Sequence, residues 1–191
     1  MSTRLIGLDF ETTSLDVATT RILEVSLALL DENYDEIAPR VDLVLRAEAS
    51  DLTDMPQVVH EMHARSGLLD ALTGDEAIKY ESGLEFIGNV MSGWMDGAEP
   101  GTTFALFGSG VMHFDAALVA RFWPQVFERL VYWIADDVGY LRRAYHQATG
   151  TDLSLMNTAK THRANDDLTC HIGEAREFAG VFRQIGASLA D

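Results

Sequence analysis

Four acids and one histidine have the types and spacing to do chemistry. Asp9 and Glu11 stand two positions apart in the segment RLIGLDFET. On a strand, two such side chains project from the same face. Carboxylates brought that close repel each other unless a cation neutralises them, and hard oxygen donors suit Mg²⁺ or Mn²⁺. An Asp-x-Glu pair taken alone is also an ordinary solvated strand end. Asp115 follows the glycine-containing stretch Gly108-Ser109-Gly110, where the start of a helix can aim its side chain at a central strand. An acid at that place is equally an ordinary helix cap. The third group is His162-Arg163-Ala164-Asn165-Asp166-Asp167, at the entry to the most regular amphipathic stretch of the chain. The helix dipole would favour Asp166 and Asp167 in a first turn in any case. A histidine in such company is suited to accept a proton, because its unperturbed pKa of ~6.5 leaves neutral imidazole populated near neutral pH.

The elements that must position these residues follow from hydrophobic periodicity. Residues 4–10, 22–30 and 41–47 are short, rich in branched apolar residues and separated by polar turns, which predicts three strands paired as an antiparallel meander. Thr73-Gly74-Asp75-Glu76 has capping-box spacing, and Ile87, Val90, Met91 and Trp94 recur at helical intervals, which predicts a helix over 75–95. Residues 102–107 then read as a strand that leads into the Gly108–Gly110 loop. A helix is expected after Asp115, broken or kinked at Pro124. Another is expected from Val138 to a stop at Gly150. Leu168, Ile172, Ala175, Ala179, Phe182 and Ile185 form the apolar stripe of the last helix, with Glu174, Glu177 and Arg183 largely opposite. The sum is a mixed α/β fold without internal repeats, read as one domain over residues 1–191.

Composition narrows the function classes. The chain has 191 residues, 47% of them hydrophobic, and a formal charge of −16 with only 14 Lys and Arg. Proteins that grip long nucleic acid usually carry clustered Lys and Arg, so if nucleic acid is the substrate its binding is expected to be local to a few nucleotides and to rely on metal ions; equally, the acidity serves only to keep the protein soluble. The lone Cys170 can form no intramolecular disulfide and has no partner at zinc-ligand spacing, so it is expected as a buried helix residue. With no signal-like segment and no apolar run near ~18 residues, a cytoplasmic protein that does not span a membrane is expected. Trp94, Trp123 and Trp133 are expected in the core or at an interface.

In combination, the ordered pieces resemble the DEDDh pattern of the DnaQ-like, ribonuclease H-like exonucleases: Asp-x-Glu on a first strand, Asp at a later strand-to-helix junction, and His-x4-Asp entering a long final helix. The likeness is to oligoribonucleases in particular. It is carried by DFETTSLD at 9–16, ILEVSLALLDE at 22–32, HARSGLLDAL at 63–72 and HRANDD at 162–167, with collinear support from 114–127 and 137–145. It covers roughly residues 4–182. The resemblance implies a ribonuclease H-like mixed central sheet, a three-stranded antiparallel start plus a later parallel strand, flanked by helices. It implies that Asp9, Glu11, Asp115 and Asp167 hold two divalent ions, Mg²⁺ or Mn²⁺, and that His162 is the general base. Leu15 would pack on the terminal base, a plain core leucine being the alternative; His63 would help to seat the 3′-terminal nucleotide, a surface histidine being the alternative; and Ser109 stands near the family's loop serine.

The implied activity is 3′-to-5′ hydrolysis of short single-stranded oligonucleotides to nucleoside 5′-monophosphates, oligoribonucleotides favoured. The alternatives are a proofreading-like or repair DNA exonuclease and a noncatalytic nucleic-acid-binding module. A homodimer is also implied, with Tyr132 or Trp133 at its interface. The substrate-end pattern departs from the family. Pro56-Gln57-Val58-Val59-His60-Glu61 lacks the tryptophan found before the position of His63, and Ile134, Gly139 and Tyr140 stand where the 5′-phosphate contacts are expected.

Overall fold

Alternation along the first strand sets the architecture. The computed structural model describes residues 2–153 and 161–190. Its first strand, β1 (Thr3–Thr12), lies at the centre of a five-stranded sheet. Ile6, Leu8 and Phe10 face one core, and Leu5 faces the other. The strands β2 (Ile22–Leu30), β3 (Val41–Val44), β4 (Thr103–Gly108) and the two-residue β5 (Asp136–Asp137) complete the order β3-β2-β1-β4-β5. β1, β2 and β3 pair antiparallel, while β4 and β5 run parallel to β1. This is the mixed ribonuclease H-like sheet expected from the sequence.

Helices cover both faces, which is why every residue of β2 is buried. Between β3 and β4 the chain forms α1 (Ala49–Thr53), α2 (Gln57–Arg65), α3 (Leu68–Ala71) and α4 (Tyr80–Asp96). After β4 come α5 (Asp115–Phe122), α6 (Pro124–Phe127), a 3₁₀ turn (Tyr132–Ile134), and, beyond β5, α7 (Val138–Thr149) and α8 (Ala164–Ala190). One core joins Ile6, Leu8 and Phe10 to Ile87 and Met91 of α4 and to Leu118 of α5 and Trp123. The other joins Leu5, Ala105 and Phe107 to Leu168, Ile172, Ala175 and Phe178 of α8. Asp9 and Glu11 fall on the α8 side by the two-residue period of the strand.

Several boundaries differ from the sequence reading. The helix expected over 75–95 starts only at Tyr80. The chain at Ile78 is instead extended beside the end of β3, with Ile78 N donating to Val44 O and Arg46 N to Ile78 O. Thr73 does not cap a helix there; its hydroxyl donates to Asp70 O at the end of α3. The strand expected over 41–47 closes at Val44; Leu45 N still donates to Leu23 O at 2.8 Å while Leu45 bridges Ile78 on its other side. β1 runs on to Thr12, with a bulge between Glu11 and Thr12. Pro124 does end α5, and it stands at the first position of α6, where its missing N–H is harmless. Gly150 ends α7 in the left-handed conformation with φ 69°.

Among single residues, Cys170 is half-buried rather than buried. Trp123 is 3% exposed in the core, Trp94 packs partly buried against it, and Trp133 is 72% exposed. The Tyr132 side chain lies outside the described residues. No helix among the described residues is long and apolar enough to cross a membrane.

Candidate active site

β1 extends beyond β4: their pairing ends at Gly7 with Phe107, so Asp9 and Glu11 stand past the last rung, at the carboxyl end of the parallel pair. Open α/β sheets bind ligands at this end. At its last residue, Gly108, β4 still pairs with Asp137 of β5 and passes β1 so closely that a Cβ there would lie 3.0 Å from Leu8 O. The chain then loops through Ser109 and Gly110 and begins α5 at Asp115. Asp137, a residue that sequence reasoning did not single out, ties this loop down. Its Oδ1 accepts from Gly110 N at 3.0 Å and from Tyr140 N at 3.1 Å, capping α7 with the same atom.

On the other side, the turn after β1 is built from hydroxyls. Thr20 Oγ1 donates to Ser14 O at 2.8 Å and accepts from Ser14 N at 3.0 Å, while Asp16 accepts from Ala18 N and from Thr19 Oγ1. Those bonds hold the Asp16 carboxyl below its usual range. Leu15 is presented outward from this turn at 81% exposure, so it is not a core leucine.

These elements enclose a cavity of about 330 Å³ whose wall includes Asp9, Glu11, Asp115, His162 and Asp167 together with Leu15 and Ser109. All four acids and the histidine singled out in the sequence therefore meet in one place, from β1, α5 and the start of α8. Glu11 and Asp167 are 7% and 4% exposed, and with His162 they bring one ligand atom each to within 4.8 Å of one another. Asp9 and Asp115 line the same cavity without belonging to that tight trio. Converging buried carboxylates with an imidazole form a donor set that fits a hard divalent cation. His162 lies as near as a ligand would, and its backbone is left-handed, with φ 55°. A non-glycine residue held there costs ~1–3 kcal/mol and persists only where the surroundings impose it.

His63 does not line the cavity. It is fully buried behind Glu11, with Nε2 2.9 Å from Thr12 O and Nδ1 3.7 Å from Glu11 Oε2. Thr12 O can only accept, so Nε2 carries the proton, and burial pushes the imidazole pKa down, which keeps the ring neutral. The resemblance implied a seat for the 3′-terminal nucleotide at this ring; here α2 packs it under the end of β1, against Thr12 and Glu11.

Two further residues escaped the sequence reading. His171 is 2% exposed with Nδ1 3.8 Å from Asp9 Oδ1. Its position one helical turn after Asp167 was the available signal. Glu24 is 6% exposed in β2, directly opposite Glu11 in the register. Its carboxylate accepts from Arg163 Nε at 3.0 Å, from Arg163 Nη2 at 2.6 Å and from Ala164 N at 2.9 Å. The signal was a lone acid inside the apolar run ILEVSLALL.

No family model matches the chain. Among curated proteins it is similar to the oligoribonuclease of Streptomyces griseus, 38% identical over 74 residues, which is 39% of this chain and 37% of that protein. It is 31% identical over 139 residues to the oligoribonuclease of Mycobacterium tuberculosis, 71% of this chain and 61% of that one. The matches therefore span less than two thirds of the length of these relatives. Among solved structures, a zinc-bound complex of Escherichia coli exonuclease I with single-stranded DNA superposes with a TM-score of 0.66 at 12% identity, over 92% of this chain and 40% of the other. Exonuclease I of Methylocaldum szegediense gives 0.64 at 18% identity, over 91% and 40%. At these identities the superpositions establish the fold.

Proposed function

We propose, for a chain that belongs to the DEDDh, DnaQ-like exonuclease superfamily and is related to its oligoribonucleases, that it is a metal-dependent 3′-to-5′ exonuclease. Its substrates are short single-stranded oligonucleotides, oligoribonucleotides in preference, and its products nucleoside 5′-monophosphates. The observation that carries this reading is the meeting of Asp9, Glu11, Asp115, Asp167 and His162 around one cavity.

Asp9, Glu11, Asp115 and Asp167 would hold two ions, Mg²⁺ or Mn²⁺, which when bound supply neutralisation of phosphate charge and acidification of water. The chain's own residues do the rest. His162, at the cavity edge, takes the proton from the attacking water through a ring nitrogen, a role that contributes about 10²- to 10⁴-fold. Leu15 offers an apolar wall to the base of the terminal nucleotide, and Ser109 a hydroxyl to its phosphate or sugar. A space of about 330 Å³ is at the small end of ligand cavities, which suits one terminal nucleotide and not a duplex. The fold shared with an exonuclease I that holds single-stranded DNA favours a second reading, a DNA exonuclease with the same chemistry. The same proposal places the protein in the cytoplasm as a single-domain homodimer, with exposed Trp133 available for a second copy to cover, which light scattering tests.

The test is hydrolysis of 5′-labelled RNA and DNA oligomers of matched sequence and graded length with Mg²⁺ or Mn²⁺. Stepwise shortening from the 3′ end, abolished by EDTA and by Asp115→Ala, is expected. No cleavage of either sugar under either metal would overturn the reading and leave a nucleic-acid-binding module.

A further inference from the structure

We infer that Glu24 and Arg163, which touch no reacting atom, are positioning residues that set the spacing of Glu11, His162 and Asp167; the inference rests on the exonuclease reading of that site. A single carboxylate reaches the site by two routes. Through the β1–β2 ladder, Glu24 sits opposite Glu11. Through its side chain it grips two successive residues, the guanidinium of Arg163 and the backbone N–H of Ala164. His162 immediately precedes that pair, in its left-handed conformation. Asp167 follows by one turn, its N–H donating to Arg163 O at 3.0 Å. The first N–H groups of a helix have no partner of their own, and here one of them is bound by the strand beside the metal-ligand strand. The mutual position of Glu11, His162 and Asp167 is therefore fixed through Glu24.

Attachment of α8 to the sheet does not depend on this pair. Leu168, Ile172, Ala175 and Phe178 bury its inner face. Arg40 binds Asn165 and Thr169 on the outer side of the first turn, Arg142 pairs with Glu174, and Arg176 pairs with Asp35. The Glu24 contact adds the placement of the helix start and an electrostatic effect. It engages the Arg163 guanidinium, a cation on which Glu11 and Asp166 also act. Freed from Glu24, that guanidinium would compete with a divalent ion for Glu11.

The test compares Glu24→Gln, Arg163→Lys and Arg40→Gln in the full chain. Mn²⁺ affinity is read by electron paramagnetic resonance without substrate, kcat and KM are read on an RNA oligomer, and helicity is read by circular dichroism. Glu24→Gln is expected to lower Mn²⁺ affinity and kcat by about 10- to 100-fold, the range found when groups that orient metal ligands are removed, with KM changed much less. Arg163→Lys keeps the charge and loses the fork, so it should show a smaller loss of the same kind, and it serves if Glu24→Gln fails to fold. Arg40→Gln loosens the same helical turn and should leave both readouts near wild type. Wild-type Mn²⁺ affinity in a folded Glu24→Gln or Arg163→Lys protein overturns the inference, as does equal damage from Arg40→Gln. A wild type that binds Mn²⁺ but cleaves no oligomer overturns the exonuclease reading alone, because the affinity comparison still decides the role of Glu24.

Discussion

Replacing Gly88 by alanine should destabilise the protein and damage the site from behind, although glycine-to-alanine changes within helices ordinarily stabilise. Gly88 faces Trp123, and a Cβ there would stand 2.7 Å from the indole Cδ1 and 3.1 Å from Nε1. The indole must therefore retreat by several tenths of an ångström. It has little freedom to do so: it is 3% exposed, its Nε1–H donates to Leu84 O at 2.8 Å, and it stacks on Phe10 at 6.1 Å. Helix propensity favours alanine by about 0.8–1 kcal/mol. Overpacking a close-fitted core costs about 1–3 kcal/mol, and a strained indole hydrogen bond about 1 more. The net is a loss of about 1–3 kcal/mol, or several degrees in Tm for a chain of this length. Gly93 on the same helix has nothing within 4 Å of its would-be Cβ, so Gly93→Ala should gain about 0.5–1 kcal/mol. Phe10 lies between Asp9 and Glu11 in β1, so displacement of Trp123 is passed to the strand that carries both acids. A roughly tenfold fall in kcat is expected, short of the ~10²-fold that a 1 Å misplacement costs. Urea midpoints, Tm and turnover of the two alanine variants check this. Equal stabilisation by both, with wild-type turnover, would refute the packing argument.

Leu15→Ala should leave stability within about 0.5 kcal/mol, since the side chain is 81% exposed, and raise KM for oligonucleotides roughly tenfold at unchanged kcat, as steady-state kinetics would show. Burial raises the Asp136 carboxyl pKa despite the hydrogen bond from Tyr34, so its folded form binds a proton more tightly than the unfolded chain. The associated stability is full in acid and is lost as pH rises through the raised value, so Asp136→Asn should gain stability over wild type progressively as pH climbs above the ordinary carboxylate range in urea titrations. Oligonucleotide affinity should have a shallow salt dependence, a slope of about −1 to −2 in log–log form, because each neutralised single-strand phosphate contributes only about −0.7; fluorescence anisotropy with a Ca²⁺-substituted enzyme measures it.

The central strands and the first half of α8 were legible because burial writes period into sequence: ILEVSLALL is apolar on both faces because helices cover both, and Leu168, Ile172 and Ala175 of the expected stripe do form the inner face of α8. That reading fails at Glu174, expected on the outer face but 3% exposed and paired with Arg142, and at Phe178, which is buried where Ala179 was expected; Phe182 and Ile185 are about half exposed where the helix outruns the sheet. The region from Ala49 to Ala71 was not legible. It contributes few core residues, among them Met55 and Leu68, too few to impose a periodicity. The Thr73–Glu76 motif misled because capping spacing is a local preference, whereas Ile78 is held extended by backbone bonds to Val44 and Arg46, residues remote in sequence. The gathering of Asp9, Glu11, Asp115, His162 and Asp167 could be anticipated from ordered motifs. The burial of His63 and the grip of Glu24 on α8 depend on which element packs behind β1, and a linear pattern does not carry that.

A formal charge of −16 and a phosphodiester substrate are reconciled by where the charges sit. Arg21, Arg40, Arg129, Arg142, Arg163 and Arg176 are each paired with a carboxylate of the fold, Asp51, Glu36, Asp96, Glu174, Glu24 and Asp35 respectively. Those cations hold elements together and are not free to line a phosphate track. The cavity itself concentrates negative charge at low exposure, which strengthens its attraction for cations and its repulsion of an unaccompanied phosphate by the same factor. On the exonuclease reading, divalent ions are therefore what reverses the sign of the site, and a substrate gains most of its affinity at the one phosphate they reach. Additional nucleotides meet a surface with little positive charge to offer, so extending the strand adds little binding. On that reading, a preference for short, single-stranded ends would follow from the charge distribution of the chain, without any wall that measures length.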